Sequence, residues 1–202
     1  MDGSVPVALG PLLDTVRRRG GGSVLDPVPD DARASAVLIV LWEDEAGAEV
    51  LLTKRSWQMR NHRGEISFPG GRLDPHETPV DAALREAHEE VGLDPHSVEV
   101  LGELDHIATL VSRSYIVPVV ARLDGAPAVH PATVEVQRIL HVPLAELCRP
   151  DTYRQELWWR PPVEWPIHFF ELDDETVWGA TGRMLVQLLS LAAGVDRRVP
   201  GL

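Results

Sequence analysis

The 202-residue chain holds one cysteine, Cys148, and one lysine, Lys54. A single thiol permits no internal disulfide and no cysteine-rich zinc site, and it suits a reducing, cytoplasmic setting. No apolar run approaches the roughly 20 residues of a membrane helix; the longest lie near Ala36–Trp42 and Leu188–Ala193. Near the start, arginines follow the apolar stretch, the reverse of a secretion signal. Positive charge is scarce, with 19 basic against 31 acidic residues and a formal charge of -12. That field opposes loose binding to nucleic acid or to an anionic membrane. A phosphate-bearing small molecule stays open, because a divalent cation inverts the local sign.

What is present describes a folded domain. Hydrophobic residues make up 44% and charged residues 25% of the chain, which excludes wholesale disorder. A short helix over Val5–Arg19 and a Pro/Asp linker are expected to occupy residues 1–32, with the main domain over 33–202. Ser35–Trp42, Glu49–Thr53, Glu65–Phe68, Val98–Ile107, Ser114–Leu123 and the second half of Val134–Val142 read as strands. Pro118 marks an edge or a bulge. Pro69-Gly70-Gly71 reads as a turn, Pro143–Leu147 as a helical turn, and Ile167–Leu172 with Thr176–Trp178 as a strand pair. Thr181–Ala193 reads as a last helix, closed by Gly194. Strands mixed with few helices predict an α/β (α+β) domain, a mixed β-sheet with helices on its faces.

One helix is specified at both ends. Thr78 can cap it, Pro79 takes the first position, Asp81 completes a capping box, and Gly92 can stop it in the left-handed conformation. Ala83, Leu84, Ala87 and Val91 recur at helical spacing and predict a buried face. Glu86, Glu89 and Glu90 stand at i, i+3 and i+4, so their carboxylates converge within roughly 6 Å along the axis. Carboxylates so close repel unless a cation lies among them, and oxygen ligands suit Mg²⁺ or Mn²⁺. Arg85 is placed to orient Glu89. A solvated acidic face is the plainer alternative, and the residues alone leave the two readings level.

Gly71, five residues, Glu77, seven residues and then Arg85-Glu86-Ala87-His88-Glu89-Glu90-Val91-Gly92-Leu93 resemble the complete signature of the Nudix hydrolases. The resemblance implies an α/β/α sandwich and hydrolysis of a nucleoside diphosphate linked to another moiety. It also implies that Arg85, Glu86, Glu89 and Glu90 organise divalent metals, with Glu77 in support. Together with the preceding glycine turn it marks the Gly71 carbonyl, Glu86, Glu89 and Glu90 as metal ligands.

Leu51–Gly71 is a second dense segment. It brings Lys54, Arg55, Arg60, His62 and Arg63 immediately before the glycine turn, where such donors could clamp phosphate. Leu51-Leu52-Thr53, Arg55-Ser56, Arg60, Gly64 and Phe68-Pro69-Gly70-Gly71 resemble the added signature of the coenzyme A pyrophosphatase branch. Later stretches, among them Ser114–Val120 and Trp178–Gly182, resemble it as well. That branch cuts coenzyme A or its derivatives at the diphosphate. The rivals are a broad hydrolase of ADP-ribose, dinucleotides or nucleoside triphosphates, and a non-catalytic nucleotide sensor. A general base is sought among Glu89, Glu90 and Glu135. Arg55, Arg60, Arg63 and Trp57 are the candidate substrate contacts. The aromatic span Trp158–Phe170 reads as core, as a homodimer surface, or as a substrate wall.

Overall fold

A computed structural model describes residues 7–24, 27–45, 47–59, 62–109, 112–160 and 163–196. Helix α1 (Leu9–Arg19) is followed by strands β1 (Arg33–Asp44), β2 (Gly47–Arg55), β3 (Ile66–Ser67) and β4 (Gly70–Arg72). Helix α2 (Pro79–Val91) leads to β5 (Val98–Glu103), β6 (Ile107–Thr109), β7 (Ser114–Leu123) and β8 (Val136–Pro143). The chain then forms α3 (Leu144–Leu147), β9 (Tyr153–Arg160), β10 (Val163–Glu171), β11 (Thr176–Trp178) and α4 (Gly179–Ala192). Among the described residues no helix is long and apolar enough to cross a membrane.

The large sheet is mixed. β1 runs parallel to β7, and its pairings with β2 and β4 are antiparallel. β1 and β2 pair only where they meet, through Leu41↔Val50 to Asp44↔Gly47. Beyond that point they splay, and the gap is filled by β4 against Ser35–Val37 of β1 and by β3 against Thr53 and Lys54 of β2. Pro69-Gly70-Gly71 is therefore a strand entry and not a free turn, pinned by Leu38 N–H donating to the Pro69 carbonyl at 2.8 Å. The Val98–Ile107 strand is broken in two opposite Pro118. Leu104 N–H donates to the Pro118 carbonyl in that break, so the proline sits in a central strand where a ladder donor is not required.

α2 covers one face of this sheet. Ala82, Ala83, Ala87 and Val91 lie against Ala36, Leu38, Val40 and Trp42 of β1, and the three alanines let the helix approach closely. The buried stripe is rotated toward Ala82 and away from the expected Leu84, which is only half-buried. That rotation carries Glu90 inward. On the other face α1 and α4 pack with Ile39, Leu41, Val50 and Leu52, completing the helix–sheet–helix layering. A second, three-stranded sheet, β11-β10-β9, flanks α4.

α1 is held by more than apolar burial. Arg19 donates to Asp105 at 2.6 Å, and both side chains are nearly inaccessible. Asp105 also accepts from Gln187 Nε2 of α4 at 2.6 Å and from Ser23 N–H at 3.0 Å. One buried carboxylate thus ties the N-terminal helix, the following segment and the last helix together, with its charge paired and its acceptors filled.

In β10 the buried His168 bonds through Nδ1 with the Tyr153 hydroxyl at 2.9 Å. Burial first, and Arg183 second, push its pKa below the ordinary 6.5. The stability it supports is complete above pH 6.5 and is lost as pH falls through the lower folded value, since the unfolded chain takes the proton first. Urea unfolding at pH 7.5 and pH 5.5 is expected to show a loss of stability that His168→Gln reduces.

Candidate active site

The site forms where the amino acids of α2 face the splayed gap between β1 and β2. Thr78 accepts from Asp81 N–H at 3.2 Å and Asp81 accepts from Thr78 N–H at 3.4 Å, so the capping box is complete. Gly92 ends the helix at φ 69°, the left-handed conformation that glycine adopts without strain. His88 points away from the acidic face, with its ring nitrogen 3.0 Å from the Leu93 carbonyl.

Arg85 organises the outer half of the site. It clasps Glu77 bidentately at 2.9 and 3.0 Å and reaches Glu86 at 2.9 Å and Glu89 at 3.4 Å. Its remaining contact is the Arg72 carbonyl at 3.0 Å. The fork therefore locks the helix to the loop before it and to β4. Its hydrogen bonds hold the Glu77 carboxyl below the usual carboxylate range, helped by the Asp74 N–H. Glu77, with its bonds to Arg85 first among the causes, raises the guanidinium pKa in turn.

Glu86 lies on Gly71. A Cβ at residue 71 would come within 2.3 Å of its carboxylate oxygen, so any side chain there would have to displace the Glu86 carboxylate. Glu90, 6% exposed, accepts from the Gly70 N–H at 3.2 Å and faces Arg55 at 3.8 Å. Burial pushes its pKa up to about 7; the Gly70 N–H and Arg55 oppose the rise, while Glu86 and Glu135 add to it. Arg55 also reaches Glu135 at 3.4 Å, and Glu135 is placed by Ser56 N–H donating to its carbonyl at 2.7 Å. The Arg55 Nε–H is buried and has no hydrogen-bond partner among the described residues.

These contacts bring Gly71, Arg85, Glu86, Glu89, Glu90, Arg55 and Glu135 to one place. The other candidates stand apart. Arg63 is exposed and donates from Nε to the Met59 carbonyl at 2.6 Å. Trp57 lies over Gly64 and is 62% exposed. With Lys54 and the β10–β11 turn it lines an open groove of about 610 Å³. Arg60 lies outside the described residues. The dense basic segment is thus dispersed, Lys54 to Glu175 at 2.6 Å and His62 to Glu65 at 2.8 Å. Sequence reading missed the Gly70 N–H and the Arg72 carbonyl as partners of Glu90 and Arg85. Backbone donors and acceptors leave no residue-type signal; the adjacent glycines were the only pointer.

Could this set hold a cation? Among the described residues no three His, Cys, Asp or Glu side chains already enclose an ion site, because Arg85 draws Glu86 and Glu89 outward while Glu90 turns to Gly70. The donor chemistry fits nonetheless. Glu90 is buried beside Glu86 and Glu135, a repulsion that a bound divalent ion relieves.

Residues 32–165 match the NUDIX domain family. This chain belongs to that family. Among its relatives, Nudix hydrolase 3 of Caenorhabditis elegans is 34% identical over 178 residues, covering 80% of this chain and 74% of the relative. The Nudix hydrolase NudL of Escherichia fergusonii is 36% identical over 171 residues, covering 81% and 84%. A Nudix hydrolase crystal structure from M. smegmatis, RenU, superposes with a TM-score of 0.50 at 26% identity, covering 57% of this chain and 73% of that one. The MutT/nudix family protein of Enterococcus faecalis shares the fold at TM-score 0.52 and 14% identity, covering 87% and 67%. Nudix hydrolases act on nucleoside diphosphate-linked substrates and use divalent metal ions such as Mg²⁺ or Mn²⁺. The mixed sheet with helices on both faces is the Nudix fold.

In this Nudix domain the backbone at residue 70 admits no side chain. A Cβ there would sit 2.3 Å from the Ala36 carbonyl and 2.6 Å from the Val37 Cα. Gly70→Ala is expected to cost about 1–3 kcal/mol of stability in urea unfolding and to break the bond from residue 70 to Glu90.

Proposed function

We propose that the chain hydrolyses the diphosphate of coenzyme A or its derivatives, giving 3',5'-ADP and 4'-phosphopantetheine or its acyl form. The observation that carries the hydrolase part is Arg55, set between Glu90 and Glu135 beside the Gly70-Gly71 turn and held by them only at 3.8 and 3.4 Å. A phosphate oxygen is an acceptor that suits the terminal N–H groups of such a guanidinium, beside carboxylates that favour a cation. The choice of coenzyme A rests on the likeness of Leu51–Gly71 to the coenzyme A pyrophosphatase signature.

In this reading the Gly71 carbonyl, Glu86, Glu89 and Glu90 hold the divalent metal, Mg²⁺ or Mn²⁺, which neutralises phosphate charge and activates water. Arg85 holds Glu86, which lies over Gly71, and Glu89 beside the site. Arg55 donates to the phosphate oxygens, stabilising charge that grows as the bond breaks. Water adds to one phosphorus, the P–O–P bridge opens, and the bridging oxygen leaves with the other phosphate. The proton of that water goes to a carboxylate. Burial makes Glu90 the more basic carboxylate but the less accessible one, with one oxygen already on the Gly70 N–H. Glu89 is 54% exposed and only loosely held by Arg85, so the base is assigned to it. Glu135, 48% exposed beside Arg55, is the alternative.

Coenzyme A, ADP-ribose and dinucleotides assayed side by side, each with and without divalent ion, test the substrate. Metal-dependent 3',5'-ADP from coenzyme A, with little turnover of the others, is the expected result. Equal turnover of all three overturns the coenzyme A reading and leaves the hydrolase intact. Glu89→Gln is expected to lower kcat by about 10²- to 10⁴-fold at saturating divalent ion, and Glu135→Gln by less. The reverse order transfers the base to Glu135.

A further inference from the structure

The aromatic span divides in the structure. Phe169 and Phe170 are buried, whereas Leu157 is 58%, Trp158 37% and Trp159 64% exposed. All three exposed residues lie on β9, a strand that the sequence reading did not resolve. β9 pairs with β10 in an unbroken register from Tyr153↔Phe170 to Arg160↔Val163, and it ends the order β11-β10-β9. Among the described residues no strand pairs with its other edge. An exposed strand edge is a template for another strand, and proteins usually blunt it with charged side chains, lysine above all, with proline or with a bulge. On β9 Arg154 and Glu156 are already paired with each other, and Arg154 with Glu171. β9 contains no lysine and no proline, and its pairing shows no bulge.

We propose that the β9 edge is a homodimer interface, in which two copies of this chain pair β9 with β9 in antiparallel fashion about a two-fold axis at Trp158. This goes beyond the catalytic reading and is independent of it. A two-fold axis normal to the sheet keeps each face on its own side, so only registers centred on a residue are open. The sequence Arg154-Gln155-Glu156-Leu157-Trp158-Trp159-Arg160 discriminates among them. Centring on Gln155 leaves Trp158 and Trp159 beyond the end of the partner's β9, and centring on Trp159 pairs only three residues within β9. Centring on Glu156 sets that carboxylate opposite its own copy, and centring on Leu157 sets Arg154 opposite Arg160. Like charges directly opposite are unfavourable. Centring on Trp158 sets Leu157 opposite Trp159 twice on one face. On the other face it sets Trp158 opposite Trp158, with Glu156 opposite Arg160 on either side. Each cross-strand pair is then apolar with apolar or opposite in charge, and two three-stranded sheets become one of six strands. A second copy is the occupant because β9 complements itself.

Sedimentation velocity on the full chain at tens of micromolar is expected to give twice the 22.3 kDa chain mass. Trp159→Glu, which sets a charge opposite Leu157, is expected to halve that mass while far-UV circular dichroism and melting temperature hold. Trp158→Cys, made with Cys148→Ser, is expected to form a disulfide-linked dimer on mild oxidation, since directly opposite Cβ atoms lie near disulfide distance. Leu157→Cys in the same background is expected to remain uncrosslinked. A wild-type chain that sediments as a monomer overturns the proposal, whether or not some other protein's strand binds the edge. So does a dimer that Trp159→Glu leaves intact while Trp158→Cys fails to crosslink, and crosslinking through residue 157 in place of 158 overturns the register.

Discussion

The carboxylates of α2 reach the backbone of β4 because nothing larger than hydrogen stands on Gly70 and Gly71. A Cβ on the first would strike β1 at the Ala36 carbonyl, and one on the second would strike the Glu86 carboxylate. Both approaches depend on the parting of β1 from β2 after Leu41↔Val50, which opens the gap that β4 enters. Once β4 lies there, its backbone supplies two groups to the site, the Gly70 N–H to Glu90 and the Arg72 carbonyl to Arg85, with the Glu86 carboxylate lying over Gly71 between them. The alanines of α2 meet the same requirement from the other side, by letting the helix lie close to β1. Side-chain chemistry and backbone geometry are therefore one problem here, and small residues solve it on both partners.

A chain of net charge -12 that gathers Glu77, Glu86, Glu89, Glu90 and Glu135 must spend its few cations with care. Two arginines divide the work. Arg85 takes the outer acids, and its five donors account for Glu77, Glu86, Glu89 and the Arg72 carbonyl. Arg55 takes the inner pair, Glu90 and Glu135, at longer range and with a donor left over. The first arrangement is saturated and serves to hold a shape. The second is incomplete, and incompleteness beside a raised carboxyl pKa is what a binding site shows before its ligand arrives.

How much of this could be read from the chain depended on whether the signal was local. The bounds of α2 were legible because its caps and its stop are written within Thr78–Gly92, although its buried stripe includes Ala82 in place of the expected Leu84. β7 was equally plain, Ser114–Leu123 being a run of β-formers bounded by turn residues. That Glu86, Glu89 and Glu90 share one side of the helix was legible for the same reason, since they are helix neighbours. What failed was long-range or backbone-borne. β4 reads as a turn because Pro-Gly-Gly has no strand propensity, and only the vacancy beside β1 makes it a strand. β9 and the first half of β10 were hidden by prolines, which read as breaks although Pro166 is tolerated within β10 opposite Leu157. The depth of Glu90 was also invisible, since helical spacing gives a side but not the rotation that tertiary packing imposes.

The β2–β8 ladder joins these themes. A register shift falls between Lys54 and Arg55, and the two cations leave the strand on different errands. Arg55 enters the carboxylate site, while Lys54 pairs with Glu175, which also meets Arg138 of β8 at 3.3 Å. Arg138 in turn grips Asp174 at 2.6 and 3.0 Å. The β10–β11 turn is therefore fastened to the same two strands that carry Arg55 and position Glu135. The single lysine lies within one residue of the site's inner arginine and is committed to holding the second sheet against the first. An isolated exposed ion pair such as Arg138–Asp174 contributes little, but Lys54 and Glu175 are largely buried, so removing Lys54 leaves the Glu175 carboxylate with the more exposed Arg138 as its partner. The second sheet is thereby tied, through Lys54 and Arg138, to the two strands that border the carboxylate site.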